Sequence, residues 1–347
     1  MSASSQRAAK LLSAALGSGG LRPLAQGPLW PSGVADDHSP VEFSVAFAEN
    51  EPSIVRMIVE SLGSHPHRGS NLAEAIGVLD VLNREFDLDP GQLDLVRDLF
   101  LPPDPQGLFT FWYSLIIRPG AAPAIKVYLN PEVRGRARAT GLVREALTRL
   151  GLGKVYPTVA GHALRRDQLD RFSFFALDLV DQQRARVKTY VSHDGAAIPD
   201  IARAAAAAPG VDAELLSDVC ELACGGTGPF TGRPLMSSYT FLSGDTGRPS
   251  GYSLYIPIRD YVRDDLEACE RVHAIMARYG LDPAPFDRAL ASIARRPLAE
   301  GVGLIAHVSL RLGKPRPGIT VYLSSEAYGV TPPRSNARAD LEGAVRT

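Results

Sequence analysis

The sequence lacks the short motifs that mark several common enzyme classes. It contains no Gly-x-x-x-x-Gly-Lys-Ser/Thr phosphate loop, no Gly-x-Ser-x-Gly nucleophile elbow and no His-Glu-x-x-His zinc helix. It also has no Asp-Asp-x-x-Asp or Asn-Asp-x-x-Asp run, the kind of aspartate cluster that holds magnesium against a phosphate. P-loop nucleotide hydrolysis, elbow-type serine hydrolysis and zinc-helix peptidase chemistry are therefore excluded.

Cysteine is scarce, and neither sign of charge is in excess. Cys220, Cys224 and Cys269 form no disulfide framework, and the first two lack the second Cys/His pair of a zinc site, so we interpret them as core thiols. A formal net charge of -1 gives no overall field that would attract nucleic acid or an anionic membrane. No run reaches the roughly 18 apolar residues of a membrane helix. We expect a cytoplasmic monomer or homodimer with no nucleic-acid or membrane partner.

A repeated pair of strand-like segments is the strongest feature present. Each pair is rich in β-branched and aromatic residues and is joined by a turn containing Gly, Pro, Asp or Asn. The five pairs occupy residues 40–60, 107–130, 171–193, 236–258 and 302–324. Their second segments share a position, at intervals of 62 to 70 residues, which is held by Ile58, Tyr128, Tyr190, Tyr255 and Tyr322. This period predicts one architecture of five similar units rather than two unrelated domains.

Segments with helical spacing lie between the pairs, so each unit should run helix, helix, strand, strand. They include residues 70–86, 138–150, 198–224 and 261–279. Ten antiparallel strands in sequence leave two exposed edges unless the sheet closes on itself. We therefore predict an α+β fold, a ten-stranded antiparallel β-barrel surrounded by α-helices.

We expect this barrel to form a single domain over residues 1–347. Residues 1–30 should form helix and loops, because the apolar run at 11–16 is too short for a signal peptide and suits an amphipathic helix. Residues 331–347 are expected to be a flexible tail.

Basic side chains recur on one face of the predicted strands. If helices cover the outside, that face must line the lumen, and ten strands leave a lumen wide enough for a ligand. The candidate cations are Arg56, Lys126, Arg186 and Lys188. Because burying an unpaired charge costs several kcal/mol, four cations in a lumen require an anion, and a diphosphate would supply it.

Tyrosines accompany these cations at matching positions, namely Tyr128, Tyr190, Tyr255 and Tyr322. Their hydroxyls can donate to phosphate oxygens, and their ring faces can stabilise a carbocation. One such tyrosine would more simply be an exposed strand residue. Recurrence in four of the five units instead favours a shared site for an allylic diphosphate, whose leaving group is an anion and whose reacting fragment becomes a cation.

Taken together, these segments resemble the dimethylallyltryptophan synthase type of aromatic prenyltransferase, whose fold is called the ABBA or PT barrel. The order and spacing of five segments carry the resemblance: 39–44 (SPVEFS), 126–131 (KVYLNP), 186–190 (RVKTY), 252–255 (YSLY) and 319–322 (ITVY). It implies that the four cations hold the diphosphate and that the four tyrosines shield the allyl cation from water. It also implies that Glu42 accepts a hydrogen bond from the indole N–H, where a buried carboxylate would stabilise charge developing on the ring nitrogen.

The implied activity is transfer of a dimethylallyl group from dimethylallyl diphosphate to the indole ring of tryptophan or a tryptophan-derived compound. The implied enzyme uses no cofactor and no metal, since four basic side chains can neutralise the leaving group. Two alternatives stay open. The acceptor could be an indole-containing cyclic peptide or a phenol, or the barrel could bind an anionic small molecule without catalysis.

The chain departs from the family pattern at two places. Ser253 stands where many relatives have a glutamine, and it can donate only one hydrogen bond to a diphosphate. Residues 116–118, Ile-Ile-Arg, stand near a lysine of some relatives that prenylate tryptophan at C4, which leaves the ring position open.

Alternation along the strands predicts that Trp112, Phe175 and Tyr239 shape the acceptor pocket. His307 lies in the last unit, and without an identifiable partner we interpret it as a structural histidine.

Three polar segments have simpler structural interpretations. Asp264-Asp265 should begin a helix, where negative charge favours the helix dipole. Residues 225–228, Gly-Gly-Thr-Gly, should end a helix rather than cradle a phosphate. Residues 36–38, Asp-Asp-His, should form a loop before the first strand.

Overall fold

Ten antiparallel strands pair with their sequence neighbours and close into a barrel. The structure, a computed structural model, describes residues 3–118, 120–181, 183–312 and 317–335. Closure joins the first strand to the last, with Glu42 opposite Ser324 and Phe47 opposite Ile319. The strands are β1 (Val41–Phe47), β2 (Ile54–Glu60), β3 (Phe111–Ile117), β4 (Ala124–Leu129), β5 (Asp170–Asp178), β6 (Val187–His193), β7 (Leu235–Phe241), β8 (Gly251–Ile256), β9 (Ile305–Leu312) and β10 (Gly318–Ser324). The predicted barrel is confirmed, and no strand of the described sheet is left with an open edge.

Helices form a layer outside the barrel and come in pairs between successive hairpins. Their bounds are α1 (Ala3–Leu16), α2 (Arg68–Phe86), α3 (Gly91–Phe100), α4 (Ala139–Arg149), α5 (Tyr156–Ala163), α6 (Ile198–Ala205), α7 (Ala213–Cys224), α8 (Asp265–Arg278) and α9 (Ala284–Ile293). The predicted helical segment 198–224 is two helices. They are separated by Pro209 and by Gly210, whose φ of 71° lies in the left-handed region that glycine tolerates.

The helix ends follow from local sequence. Asp212 accepts hydrogen bonds from the backbone of the first turn of α7, and Gly225 ends that helix in the left-handed conformation, as expected. Asp264 caps α8 in the same way as Asp212 caps α7. These caps confirm that the glycine run terminates a helix and that the aspartate pair begins one.

The hydrophobic core lies between the outer face of the barrel and the helices. Phe175 of β5 stacks on Phe100 of α3, with ring centroids 5.0 Å apart. The Tyr113 hydroxyl on β3 donates to the Ala75 carbonyl of α2 at 2.5 Å. Because the apolar side of every strand is used against helices, the alternate residues, many of them polar, face inward.

A β-bulge interrupts the alternation in β5. The pairing between β5 and β6 slips by one residue between Phe172 and Phe174, so Ser173 is the extra residue. As a result, Phe174 turns into the lumen, whereas Phe172 and Phe175 on either side are buried in the outer core. Sequence alternation counted from either end of this strand does not reveal that shift.

The chain ends pack against the barrel as far as the structure describes them. Helix α1 forms near the N-terminus as predicted, and the Ser61 hydroxyl donates to the Ala15 carbonyl at its end. The tail was predicted over residues 331–347, but its described part, 331–335, is held by pairing of Thr331 with Val302; residues 336–347 lie outside the described residues. None of the described helices combines the length and the apolar character needed to cross a membrane.

Candidate active site

Two cavities occupy the lumen and meet at its middle. The first, of about 370 Å³, lies where β2, β6, β8, β9 and β10 approach one end of the barrel. The second, of about 730 Å³, lies toward the other end and is closed partly by residues 30–36 ahead of β1. Tyr255 lines both cavities, so the two spaces adjoin at its ring.

The first cavity is basic, as predicted. Three of the four predicted cations, Arg56, Arg186 and Lys188, line it, together with hydroxyl side chains of the neighbouring strands. The fourth, Lys126, is buried beside them and forms an ion pair with Asp178, with Nζ 3.2 Å from Oδ1. Lys126 and Lys188 stand two strands apart, on β4 and β6, with β5 between them. The structure therefore brings all four predicted cations together.

One carboxylate, Asp178 at the end of β5, offsets part of this charge. Arg186 Nε lies 2.6 Å from its Oδ2, so Asp178 serves both Lys126 and Arg186. Burial works to raise the pKa of Asp178, but its two basic neighbours outweigh burial and lower that pKa to about 2. Asp178 stays ionised, and the sequence analysis did not identify it because nothing distinguishes a strand-end aspartate from a solvated one.

Lys188 has no ion-pair partner of its own among the described side chains, unlike Lys126 and Arg186. No carboxylate in the described residues lies within ion-pair distance of its amine, and Nζ stands 5.6 Å from the centre of the Tyr190 ring. Burial first, and then the charges of Lys126, Arg186 and Arg56, hold the pKa of Lys188 well below its usual value. An anion in the first cavity would act against that shift and favour the charged form of Lys188.

Two further cations lie at this end: Arg311 of β9 lines the first cavity, and Arg118 lies just after β3. The Arg118 guanidinium is partly buried, and its pKa is lowered by burial and by the charges of Arg186 and Arg56. Arg118 is the last residue of the Ile-Ile-Arg segment at 116–118, near which some relatives that prenylate tryptophan at C4 have a lysine. Ser253 also lines the first cavity, so its single hydroxyl faces the same space as the cations.

The four predicted tyrosines form a continuous belt across the lumen. Neighbouring ring centroids are 5.8 Å apart for Tyr128 and Tyr190, 5.5 Å for Tyr190 and Tyr255, and 5.9 Å for Tyr255 and Tyr322. The hydroxyls of Tyr128 and Tyr190 are 3.4 Å apart. Burial raises the pKa of Tyr190 and Tyr322 well above the usual value, so these hydroxyls remain protonated donors. The belt separates the basic cavity from the second one.

Glu42 lies in the wall of the second cavity, with its side chain only 5% exposed. Its Oε1 atom has no hydrogen-bond partner and stands 4.0 Å from Arg259 Nη1 and 3.9 Å from His307 Nδ1. Burial raises the pKa of Glu42 to about 8, although Arg259 acts in the opposite direction. Glu42 is therefore a buried carboxyl group with one open oxygen in the wall of the second cavity.

Aromatic side chains line the rest of this cavity. Trp112 lines the cavity, as predicted. Its ring centroid is 4.3 Å from that of Phe109 and 5.7 Å from that of Phe174. Phe174 also packs edge-on against Tyr128 and Tyr190, so the cluster and the tyrosine belt form one aromatic wall against which a flat ligand could stack.

Two of the three residues predicted to shape the acceptor pocket do not reach it. Phe175 faces the outer core against Phe100, and the Tyr239 hydroxyl donates to the Ala204 carbonyl of α6 at 2.8 Å. The prediction was wrong for Phe175 because the β-bulge moves Phe174 into the lumen instead. It was wrong for Tyr239 because that residue pairs with Thr189, which has the outward parity, while Lys188 pairs with Thr240.

His307 differs from the structural histidine that we expected. Its ring lines the second cavity and packs edge-on against Tyr322 at 6.0 Å. Burial, followed by the charges of Arg259 and Arg233, holds the pKa of His307 well below its usual value. The imidazole is therefore neutral and available as a proton acceptor.

The loop at residues 36–38 forms as predicted, but it also belongs to the cavity wall. Asp36 Oδ1 lies 3.1 Å from Arg259 Nη2, and Asp36 Oδ2 lies 3.0 Å from Arg233 Nη1. These two ion pairs hold the loop over the second cavity. Arg259 and Arg233 could not be predicted from the sequence. Arg259 lies in a single 3-10 turn after β8 and Arg233 lies in the loop before β7, and neither segment is long enough for a periodic pattern to show which way a side chain points.

Comparison with known proteins identifies the family. The family model for tryptophan dimethylallyltransferase matches residues 10–287. The structure of 6-dimethylallyltryptophan synthase from Micromonospora olivasterospora, in complex with DMASPP and Trp, is 53% identical with a TM-score of 0.91, covering 94% of this chain and 93% of that one.

Two further solved structures are similar over nearly their full length. The prenyltransferase PriB, in a ternary complex with L-tryptophan and dimethylallyl thiolodiphosphate, is 37% identical (TM-score 0.88; 97% of this chain and 94% of that one). The 5-dimethylallyltryptophan synthase from Streptomyces coelicolor is 36% identical (TM-score 0.86; 95% and 93%). With a barrel that closes as predicted and a family match over most of its length, this chain belongs to the tryptophan dimethylallyltransferase family.

Proposed function

We propose that this protein transfers the dimethylallyl group of dimethylallyl diphosphate to the indole ring of free L-tryptophan, at carbon C6. One observation carries the proposal: undercompensated buried cations and a buried carboxyl with an open oxygen lie at opposite ends of one lumen, with a tyrosine belt between them. The relatives bound to tryptophan and a thio analogue support the substrates. Higher identity to the 6-synthase than to the 5-synthase supports the ring position.

In this proposal the diphosphate lies in the first cavity, where Arg56, Arg186 and Lys188 neutralise it. The allylic C–O bond breaks, the diphosphate leaves as an anion, and the dimethylallyl cation lies among the ring faces of the tyrosine belt. Because the belt excludes water, the cation is protected from hydrolysis.

The acceptor occupies the second cavity. Glu42 accepts the indole N–H through its open oxygen, which orients the benzene half of the ring toward the belt. A ring carbon attacks the cation, a C–C bond forms, and that carbon then loses its proton. His307, kept neutral by burial, is a base on the wall of the same cavity.

The proposed reaction needs no metal ion. At the basic end Asp178 is already engaged by Lys126 and Arg186, and the basic side chains that line the first cavity include Arg56, Arg186, Lys188 and Arg311, so the diphosphate can be neutralised without a bridging metal ion. We expect the transfer rate to be unchanged when EDTA is present during assay. A rate that collapses in EDTA and returns on adding Mg²⁺ would contradict this part of the proposal.

The direct test is to incubate the protein with dimethylallyl diphosphate and L-tryptophan. We expect stoichiometric diphosphate release and a monoprenylated product whose NMR spectrum shows substitution at C6. A product substituted at another atom would refute the ring position alone. Transfer only to an indole-containing cyclic peptide or to a phenol would refute free tryptophan as the acceptor, and ligand binding without diphosphate release would identify a non-catalytic barrel.

A further inference from the structure

Three metal-binding side chains meet on the helical layer, away from both cavities. Cys269 and His273 lie on α8 and Asp287 lies on α9, and one donor atom from each falls within 4.8 Å of the other two. Cys269 Sγ is 3.9 Å from His273 Nε2, and His273 Nε2 is 2.7 Å from Asp287 Oδ1. None of the three lines the first or second cavity.

The fold explains why the three side chains converge. Residues four apart on a helix share one face, so Cys269 and His273 point the same way. Helix α9 follows α8 after a short turn and places Asp287 in its first turn opposite that face. The His273 ring also packs edge-on against Phe286 at 5.6 Å, which fixes the ring orientation with Nε2 toward Asp287. The arrangement is therefore held by packing on both helices.

The donor set suits one class of metal ion. A thiolate, an imidazole and a carboxylate are all ligands of Zn²⁺, and sites with three protein ligands complete a tetrahedron with water. Around a tetrahedral zinc ion the sulfur and nitrogen stand about 3.5 Å apart and the nitrogen and oxygen about 3.3 Å apart. Each observed distance differs from these values by less than an ångström, so side-chain rotation would suffice. A thiolate and a carboxylate together also balance the charge of the ion.

The site is open to solvent on one side. The His273 and Asp287 side chains are 40% and 50% exposed, whereas Cys269 is half-buried. An ion can therefore enter from solvent and keep a water ligand, while the sulfur closes the inner side. Cys220 and Cys224, the pair considered from the sequence, belong to no such group in the described part of the chain.

We propose that Cys269, His273 and Asp287 bind one Zn²⁺ ion, with water as the fourth ligand, and that the ion clamps α9 onto α8. The clamp acts close to the basic end of the barrel, because Phe286 of α9 packs edge-on against Phe47 of β1 at 6.4 Å and Phe47 lines the first cavity. Its role is structural, so it stands independently of the proposed prenyl transfer.

The test uses the full chain without a histidine tag, first stripped with EDTA and then titrated with Co²⁺ and Zn²⁺. We expect one equivalent of Co²⁺ to bind with a thiolate-to-metal charge-transfer band, Zn²⁺ to displace it, and Zn²⁺ to raise the melting temperature. The Cys220→Ser/Cys224→Ser double variant is the matched control, and it should keep the band because Cys269 is its remaining cysteine.

Variants of the three ligands complete the test. Cys269→Ser should abolish the charge-transfer band, and Asp287→Asn should weaken Zn²⁺ binding at least about 100-fold, while prenyl transfer at 25 °C by the metal-free protein continues. Wild-type protein that binds no Co²⁺ at micromolar concentration would overturn the proposal. So would a charge-transfer band that disappears in the Cys220→Ser/Cys224→Ser variant, since another thiol would then be the ligand.

Discussion

The first cavity collects positive charge with too few carboxylates to balance it, whereas the second cavity holds a carboxyl group with one oxygen lacking a hydrogen bond. Burial displaces the pKa of Lys126 down to about 8 and that of Glu42 up to about 8, so each end is shifted toward its neutral form. Each end is therefore short of the opposite partner, an anion at one and a hydrogen-bond donor at the other. A basic group and an acidic group with shifted pKa values, one at each end of the same lumen, indicate that two different ligands bind there and meet at the tyrosine belt.

The largest effect should come from the basic end. Replacing Lys188 by alanine is expected to lower kcat/KM for dimethylallyl diphosphate about 10²–10³-fold, because a buried charge that meets the leaving group is lost. Tryptophan binding should persist, and the melting temperature should stay within about 4 °C, since no ion pair is broken. The measurement is steady-state kinetics of the Lys188→Ala variant, with each substrate varied in turn. Lys154→Ala, on the exposed surface, is the control. Full activity of the Lys188→Ala variant would remove Lys188 from the mechanism.

A smaller effect is expected from the carboxyl end. Glu42→Gln keeps the shape but removes the carboxylate, so above the Glu42 pKa of about 8 kcat/KM for tryptophan should fall about 10- to 100-fold, the scale of one charge-assisted hydrogen bond. Glu60→Gln is the matched control. Its carboxyl is also buried on the lumenal face, but its oxygens already accept from Ser32 and Trp30. Because Ser32 and Trp30 line the second cavity, Glu60→Gln tests the support of the cavity wall, and equal losses in both variants would assign the effect to that wall and not to a hydrogen bond between Glu42 and the acceptor.

A neighbouring pair of phenylalanines separates lumen from core. Phe174→Ala should raise KM for tryptophan about tenfold, since one stacking surface worth about 1.4 kcal/mol is lost, and it should destabilise the protein less than Phe175→Ala does. Phe175→Ala should instead lower the free energy of unfolding by about 3–5 kcal/mol, because it leaves a cavity against Phe100. Denaturant unfolding alongside kinetics checks both. If Phe175→Ala raised KM instead and Phe174→Ala lowered the free energy of unfolding more, Phe175 and not Phe174 would face the lumen.

The smallest effect is a difference in pH dependence between the two ends. Glu42 accepts the indole N–H better as a carboxylate, so kcat/KM for tryptophan should rise severalfold as pH increases through its pKa of about 8. Lys126 loses charge as pH rises through a pKa of about 8, so kcat/KM for the diphosphate should fall over the same range. Initial rates measured from pH 6.5 to 9.5, with one substrate saturating each time, separate the rising limb for tryptophan from the falling limb for the diphosphate. The rising limb should vanish in Glu42→Gln, and its survival there would assign it to another group.

The sequence predicted the barrel and the basic end because both depend on a repeated register. Once Tyr128, Tyr190, Tyr255 and Tyr322 share a position, the residues two places before them share a face. Glu42 was located only through the family resemblance, since one glutamate at a strand start has no distinguishing pattern. The acceptor cavity was largely unpredictable, because it depends on a one-residue bulge in β5 and on loops such as the one carrying Asp36.

Pairing of the first strand with the last has a consequence for how the protein is made. Arg56 donates to Thr320 across 264 residues, and Tyr322 of β10 completes the tyrosine belt. The barrel therefore cannot close during translation until the tenth strand has left the ribosome, and until then the lumen is open along one side. Contacts of such large sequence separation slow folding, and the unpaired margins of β1 and β9 stay exposed to other chains during synthesis. Truncation ahead of residue 318 should consequently yield aggregates rather than a weakened enzyme.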